Sequence, residues 1–248
     1  MAEIARFDGC TEAELAGAIG VNQVVLFDTV QSTLDEAHRL AAAGATAGTI
    51  VLAEEQTAGR GRNGRSWTSE RGKGLWLTIV ERPVDSQSLD GLAIRLGLAA
   101  ALALERFTQD RIKLKWPNDL YSGGSKLGGI LVETRWRGDS IDWVAIGFGL
   151  NTRLPAGLAG AAAVDSSHSR LEILSELVPA IRSAAAKTGS LTPGELAAWA
   201  ARDLARGRRC IEPANGTVRG IDSGGRLLVA SAFGEMAFGT GSLVLENM

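Results

Sequence analysis

Residues 59–67 read Gly59-Arg60-Gly61-Arg62-Asn63-Gly64-Arg65-Ser66-Trp67, a run in which arginine and glycine alternate. It follows one strand-like apolar stretch, Thr49 to Glu54, and precedes another, Leu75 to Val80. Between the run and the second strand, Thr68 to Gly74 is rich in turn formers, so no helix fits there. Gly59, Gly61 and Gly64 satisfy G-x-G-x-x-G, and Gly59, Gly64, Arg65 and Ser66 nearly satisfy the P-loop pattern, with arginine in place of its lysine. Both patterns require a helix to open directly after the glycines and turn its N-terminus toward phosphate. The strand–loop–strand context rejects both. Arginine offers a rigid fork of donors to carboxylate or phosphate oxygens, and glycine lets backbone approach an anion closely. The segment therefore reads as a mobile anion clamp, or otherwise as a solvated basic loop in a hairpin.

The rest of the chain alternates helix and strand patterns. A helix is expected over 12–19, a strand over 23–28 and a helix from Ser32 or Thr33 to Ala43, where Glu36 is spaced for a capping box. A long Ala- and Leu-rich helix is expected over 88–107 and a strand over 112–116. A hairpin of strands 126–135 and 141–150 follows, then helices over 167–187 and 193–206. This order predicts an α+β fold, a mixed sheet with helices packed on one face. After Arg208 the chain turns to short β segments separated by Asp222-Ser223-Gly224-Gly225 and Phe233-Gly234, which predicts a small SH3-like β-barrel. The expected division is residues 1–206 and 207–248.

Charge and cysteine content narrow the function. Lys and Arg number 26 against 28 acids, a net charge of −2, which gives no global attraction to nucleic acid or anionic membranes. Cys10 and Cys210 are isolated, which argues against a disulfide framework and a zinc site. Residues 1–20 hold no apolar signal core and no run is long enough to span a bilayer, so a soluble cytoplasmic protein is expected. His38 and His168 have no neighbours in sequence that suggest a triad or metal cluster. Catalysis is expected to be positional and electrostatic, carried by lysine and arginine.

A second polar segment, Lys115-Trp116-Pro117-Asn118-Asp119, leads to Lys126-Leu127-Gly128-Gly129-Ile130-Leu131-Val132-Glu133, and Gly147-Phe148-Gly149-Leu150-Asn151 closes the last strand. With Gly59–Trp67, these segments in this order resemble the catalytic region of the biotin protein ligases (biotin–acetyl-CoA-carboxylase ligases), over about 28–151. The resemblance implies a class II synthetase-like biotin/lipoate ligase fold and a two-step reaction. Biotin and MgATP would give biotinyl-adenylate and pyrophosphate, and a lysine of a biotin carboxyl carrier protein would then attack the mixed anhydride. The partners implied are that carrier, biotin and ATP, with no DNA and no membrane, in a monomer or homodimer. The stretch before Asp28 is too short for the helix-turn-helix domain found in some relatives.

Carried over position by position, the resemblance assigns Lys126, Arg60 and Arg62 to catalysis. Ser32, Thr33, Leu34, Gln56 and Gly61, with those three cations, would hold biotin. Arg62, Trp67, Lys115, Asn118 and Asn151 would hold ATP or the adenylate. Asp119 is a candidate Mg²⁺ ligand, because the ion favours carboxylate and water; it could equally orient Lys115 or cap its turn. The family usually continues the Ser-Thr pair with asparagine where this chain has Leu34. Residues 157–169 also lack the Thr-Ser-Leu step of relatives. A lipoate–protein ligase and a non-catalytic vitamin- or nucleotide-binding module are the alternative readings.

Overall fold

A computed structural model describes residues 6–83, 86–154 and 160–246; of the 157–169 stretch, residues 157–159 lie outside these. The first part of the chain runs α1 (Glu12–Ile19), β1 (Val24–Val30), α2 (Thr33–Ala42), β2 (Thr49–Gln56), β3 (Gly74–Glu81), α3 (Leu92–Leu104), β4 (Lys113–Lys115), β5 (Asp119–Ser122), β6 (Ser125–Arg137) and β7 (Ser140–Asn151). Next come α4 (Arg170–Ala185), α5 (Pro193–Arg202) and five short strands, β8 (Arg209–Glu212), β9 (Gly216–Ile221), β10 (Leu227–Ser231), β11 (Gly234–Phe238) and β12 (Val244–Leu245).

Strands β1 to β7 form one mixed sheet in the order β1-β2-β3-β7-β6-β5-β4. Only β1 and β2 pair in parallel, and α2 supplies the crossover that a parallel pair needs. Side chains alternate across β2 and β3, so the two faces carry different cores. Ile50, Leu52, Leu75, Leu77 and Ile79 join the large core built with α3 and α4. Val51 and Val80 point the other way and pack with Ala37 and Ala41 of α2 and with Trp143. The mixed sheet is thus as expected, and α2 departs from the other helices by covering the opposite face.

Three local features differ from expectation. The 88–107 helix is α3 alone, bracketed by 3₁₀ turns at Ser86–Leu89 and Glu105–Phe107. Gly91 just before it has φ of 65°, which a continuous helix cannot contain. The turn after Lys115 leads into β5, whose four residues carry too little alternation to read as a strand. Gly123 and Gly124, at φ 55° and 80°, then make the tight hairpin into β6. The capping box expected with Glu36 is absent: the Ser32 hydroxyl makes no cap hydrogen bond, and Glu36 pairs with Arg39 at 2.7 Å.

Strands β8 to β12 form a second, antiparallel sheet in the order β11-β10-β9-β8-β12, the small β unit expected at the C-terminus. It docks on the first through the Trp116 indole, which donates to the Gly225 carbonyl at 3.0 Å.

A buried ion pair ties α3 to α5. Arg95, whose side chain is 2% exposed, donates to Glu195 at 3.1 Å, and Glu195 also caps α5 by accepting from the Thr192 amide at 2.9 Å. Burial opposes the Glu195 charge, but the Thr192 amide, Lys187 and Arg95 outweigh it and hold the carboxyl down at about 2. Because this folded value lies below the ordinary 4.5, the pair's stabilisation is complete above pH 4.5 and is lost as pH falls from there through about 2. Glu195→Gln should cost about 3 kcal/mol near neutral pH by leaving Arg95 buried without its counter-charge. It should also flatten the acid limb of a thermal-denaturation pH series; an unchanged acid limb would remove Glu195 from this role.

Candidate active site

The 59–67 loop is folded, not slack. The Gly61 amide donates to the Arg65 carbonyl at 2.7 Å and the Trp67 amide to the Gly59 carbonyl at 2.8 Å. Asn63 and Gly64 turn the tip with φ of 55° and 72°, left-handed values that asparagine and glycine tolerate. The loop is held at three points. At its entry Arg60 pairs with Asp35 of α2 at 2.9 Å and with Glu133 of β6 at 3.0 Å. At its tip the Asn63 amide donates to the Ser242 hydroxyl of the C-terminal unit at 3.1 Å. At its exit the Trp67 indole lies on β7, where a Cβ on Gly149 would sit 2.6 Å from Cε2 and Nε1. Trp67 is steadied by an edge-on contact with Trp76, ring centroids 6.5 Å apart.

The loop closes one side of a cleft over the sheet. Ser32, Thr33, Leu34, Gln56, Gly61 and Arg62 all line it, as do Trp67, Lys115, Asn118, Asp119 and Lys126. At the start of α2 the Gln56 carbonyl oxygen accepts from both the Thr33 amide at 2.8 Å and the Thr33 hydroxyl at 3.1 Å. Gln56 thereby takes the place of a helix cap. The Ser32 hydroxyl, 1% exposed, is left with no protein partner. A buried hydroxyl of this kind is costly unless something bonds to it, so it is a natural contact for a polar ligand. Leu34 packs on β7, where a Cβ on Gly147 would sit 2.6 Å from its Cδ1.

Lys126 sits on a braced stretch of strand. Its backbone pairs with Tyr121 of β5 on one side. On the other, its amide donates to Gly160 and its carbonyl accepts from Ala162, both at 2.8 Å. The ammonium lies 2.8 Å from Asp119 Oδ1 and 5.2 Å from the centre of the Trp67 ring. Arg62, Arg65 and Lys115 line the same cleft, and Asp119 is its only lining carboxylate among the described residues. Burial pushes the Lys115 ammonium below its ordinary range; Asp119 opposes this, while Lys126, Arg65 and Arg208 add to it. Burial likewise lowers Arg62, with Asp119 opposing and Arg65 adding. Cations crowded into a partly dry cleft repel one another, and a polyanion placed among them relieves that repulsion.

One assignment departs from expectation, and the geometry qualifies two others. Asn151 does not line the cleft: it is 3% exposed, and its amide donates to the carbonyls of Ala162 at 3.0 Å and Lys126 at 3.4 Å. It braces the Lys126 backbone. Arg60 lines the cleft as expected, but its guanidinium is paired with Asp35 and Glu133, neither of which lines it. Asp119 is paired with Lys126, and no group of three acid, histidine or cysteine side chains suited to a metal occurs among the described residues. The chain therefore offers a hard cation one carboxylate here, and water or phosphate oxygens would have to complete its shell. Asn118 lines the cleft, and its side-chain amide gives one hydrogen bond to the Ile130 carbonyl. Sequence reasoning gave no site role to Arg65, Ser242 or Leu243, all of which line the cleft.

The family model for the biotin/lipoate A/B protein ligase family matches residues 26–151. A bifunctional ligase/repressor BirA of Bacillus spizizenii is 38% identical over 125 residues, 50% of this chain and 38% of that protein. The chain therefore spans about two fifths of that relative's length. A biotin–[acetyl-CoA-carboxylase] ligase of Mycobacterium tuberculosis is 31% identical over 224 residues, covering 82% of this chain and 81% of that one. Among solved structures, a biotin protein ligase from Aquifex aeolicus in complex with biotin and ATP superposes with a TM-score of 0.74 at 26% identity, over 91% of this chain and 99% of that chain.

The seat of Trp67 can be tested without any ligand. Gly149→Ala should displace the indole, break its edge-on contact with Trp76 and cost about 1–3 kcal/mol, the usual penalty of overpacking. Near-UV circular dichroism and thermal unfolding would measure both effects. Wild-type values in both would mean that Trp67 does not rest on Gly149.

Proposed function

The chain belongs to the biotin/lipoate A/B protein ligase family, and from that premise we propose that it is an ATP-dependent biotin protein ligase. In the first step the biotin carboxylate attacks the α-phosphate of ATP, releasing pyrophosphate and forming the acyl-adenylate. In the second, the amine of a carrier-domain lysine attacks the anhydride carbonyl and AMP leaves. The observation that carries this reading is one cleft lined both by the unpartnered Ser32 hydroxyl with Gln56 and by five cations around a single carboxylate.

Both reactants of the first step are anions, so their approach must be screened. Lys126 is placed for this on its braced strand, and exchanging Asp119 for substrate oxygens would cost it no net charge partner. Arg62 would hold the carboxylate and phosphate of the adenylate, with Lys115 and Arg65 adding positive potential. Ser32 offers its free hydroxyl to a polar ring, while Leu34 supplies an apolar wall where relatives have an amide. We take Trp67 as a wall of the nucleotide site. The donors present do not form a magnesium cage, and no step here depends on one. The acceptor is read as a biotin carboxyl carrier domain, and residues 1–206 and 207–248 as catalytic and accessory units.

Incubating the protein with ATP and either biotin or lipoate, and measuring pyrophosphate, tests the reading directly; release that requires lipoate, or neither acid, would overturn it. Lys126→Ala should slow adenylate formation about a hundred- to a thousandfold, as for loss of one preorganised charge, and a wild-type rate would remove Lys126 from the chemistry. Arg62→Gly should instead act on retention. Losing one charge-assisted contact should speed escape of the adenylate about ten- to a hundredfold. Labelling of an unrelated bystander protein would report this, and no increase would sink the assignment.

A further inference from the structure

Arg60 belongs to a chain of polar contacts that runs away from the cleft. Its guanidinium meets both oxygens of Glu133 at 3.0 Å and Asp35 Oδ1 at 2.9 Å. Glu133 Oε2 also accepts from His38 Nε2 at 2.8 Å. On the far side of the imidazole, the Trp143 indole donates to His38 Nδ1 at 2.9 Å. An indole nitrogen can only donate, so Nδ1 must be the acceptor and Nε2 must carry the proton that goes to Glu133. The tautomer of His38 is thereby fixed, and with it the orientation of the carboxylate. Trp143 is itself 6% exposed and packs with Ala37, Ala41, Val51 and Val80, so the chain ends in a rigid core.

We propose that Arg60 is the root of the 59–67 loop, not a ligand group, and that His38 and Trp143 position Glu133 to hold it. The loop can then open over the cleft only between its two anchors, Arg60 and Trp67, and by releasing the contact of Asn63 with Ser242, with Arg62, Asn63 and Arg65 on the moving side. The consequence for adenylate retention rests on the ligase reading above; the anchoring itself does not. His38 and Glu133 lie 95 residues apart, on α2 and β6, so this contact also ties the helix that begins just after Ser32 to the strand that begins beside Lys126.

Trypsin cleavage after Arg62 and Arg65 in the ligand-free protein measures anchoring independently of any reaction. Glu133→Gln, His38→Ala and the solvent-exposed Asp35→Asn should each speed that cleavage, by about three- to tenfold for Glu133→Gln, in keeping with a half-exposed charged network. If Arg60 acts only through these carboxylates, Arg60→Ala combined with Glu133→Gln should be no worse than the more severe single change. Arg60→Lys should recover part of the loss. The same non-additivity should appear in the rate of adenylate escape. Wild-type cleavage in both Glu133→Gln and Asp35→Asn would overturn the anchor. So would a large effect of Arg60→Ala on adenylate escape with none from Glu133→Gln, since Arg60 would then be touching ligand directly. Failure of the wild-type protein to form adenylate would sink the ligase reading and leave the cleavage result to judge the anchor.

Discussion

The indole of Trp67 lies against bare backbone, and the geometry of the cleft depends on that contact. A side chain of this size can press flat on a sheet only where the strand beneath lacks a Cβ, and Gly149 provides the gap. Once seated, the indole fixes the end of the 59–67 loop, forms a wall of the cleft and lies under the Lys126 ammonium. The neighbouring Gly147 does the same for Leu34. Two glycines on one strand therefore decide how closely a loop and a helix approach the sheet. The Gly-Phe-Gly pattern is a packing requirement before it is a binding motif.

Electrostatics acts on this frame in the opposite direction. Packing brings Arg62, Arg65, Lys115 and Lys126 into one cleft, and their mutual repulsion is only partly offset by Asp119. Burial first, and then the like charges of Lys126, Arg65 and Arg208, disfavour the protonated form of Lys115, with Asp119 opposing them. Such a site is poorly satisfied on its own and well satisfied around a polyanion, the differential a synthetase needs if it is to bind a triphosphate and screen a carboxylate together. The unpartnered Ser32 hydroxyl is the neutral counterpart of the same arrangement.

Much of this was legible in the residues themselves. Turn formers after Trp67 excluded a helix, so the Arg-Gly run could only be a loop between strands, and β2 and β3 flank it. Periodicity located α1, α2, α4 and α5 because each buries a defined stripe. It overran α3, because the Ala–Leu pattern continues through residues whose backbone, at Gly91 above all, leaves the helix. The orientation of polar side chains was less accessible. Asn151 turns to carbonyls of residues 126 and 162, which carry no signature in the sequence. His38 had no visible partner because Glu133 is brought to it only by the sheet. Arg60 and Arg62 look equivalent in the string and both line the cleft, yet Arg60 alone is paired with two carboxylates that lie outside it.

The contact between Asn63 and Ser242 carries a consequence for how the protein is made. Ser242 and Leu243 complete the wall of a cleft whose other lining residues lie between positions 32 and 149. During synthesis the large sheet can therefore form while the residues that finish the cleft are still inside the ribosome. A nascent chain of this kind has its cations in place and one side open. Any ligand held there would face solvent, so the emergence of Ser242 and Leu243, as much as the folding of the sheet, sets when the site first becomes closed.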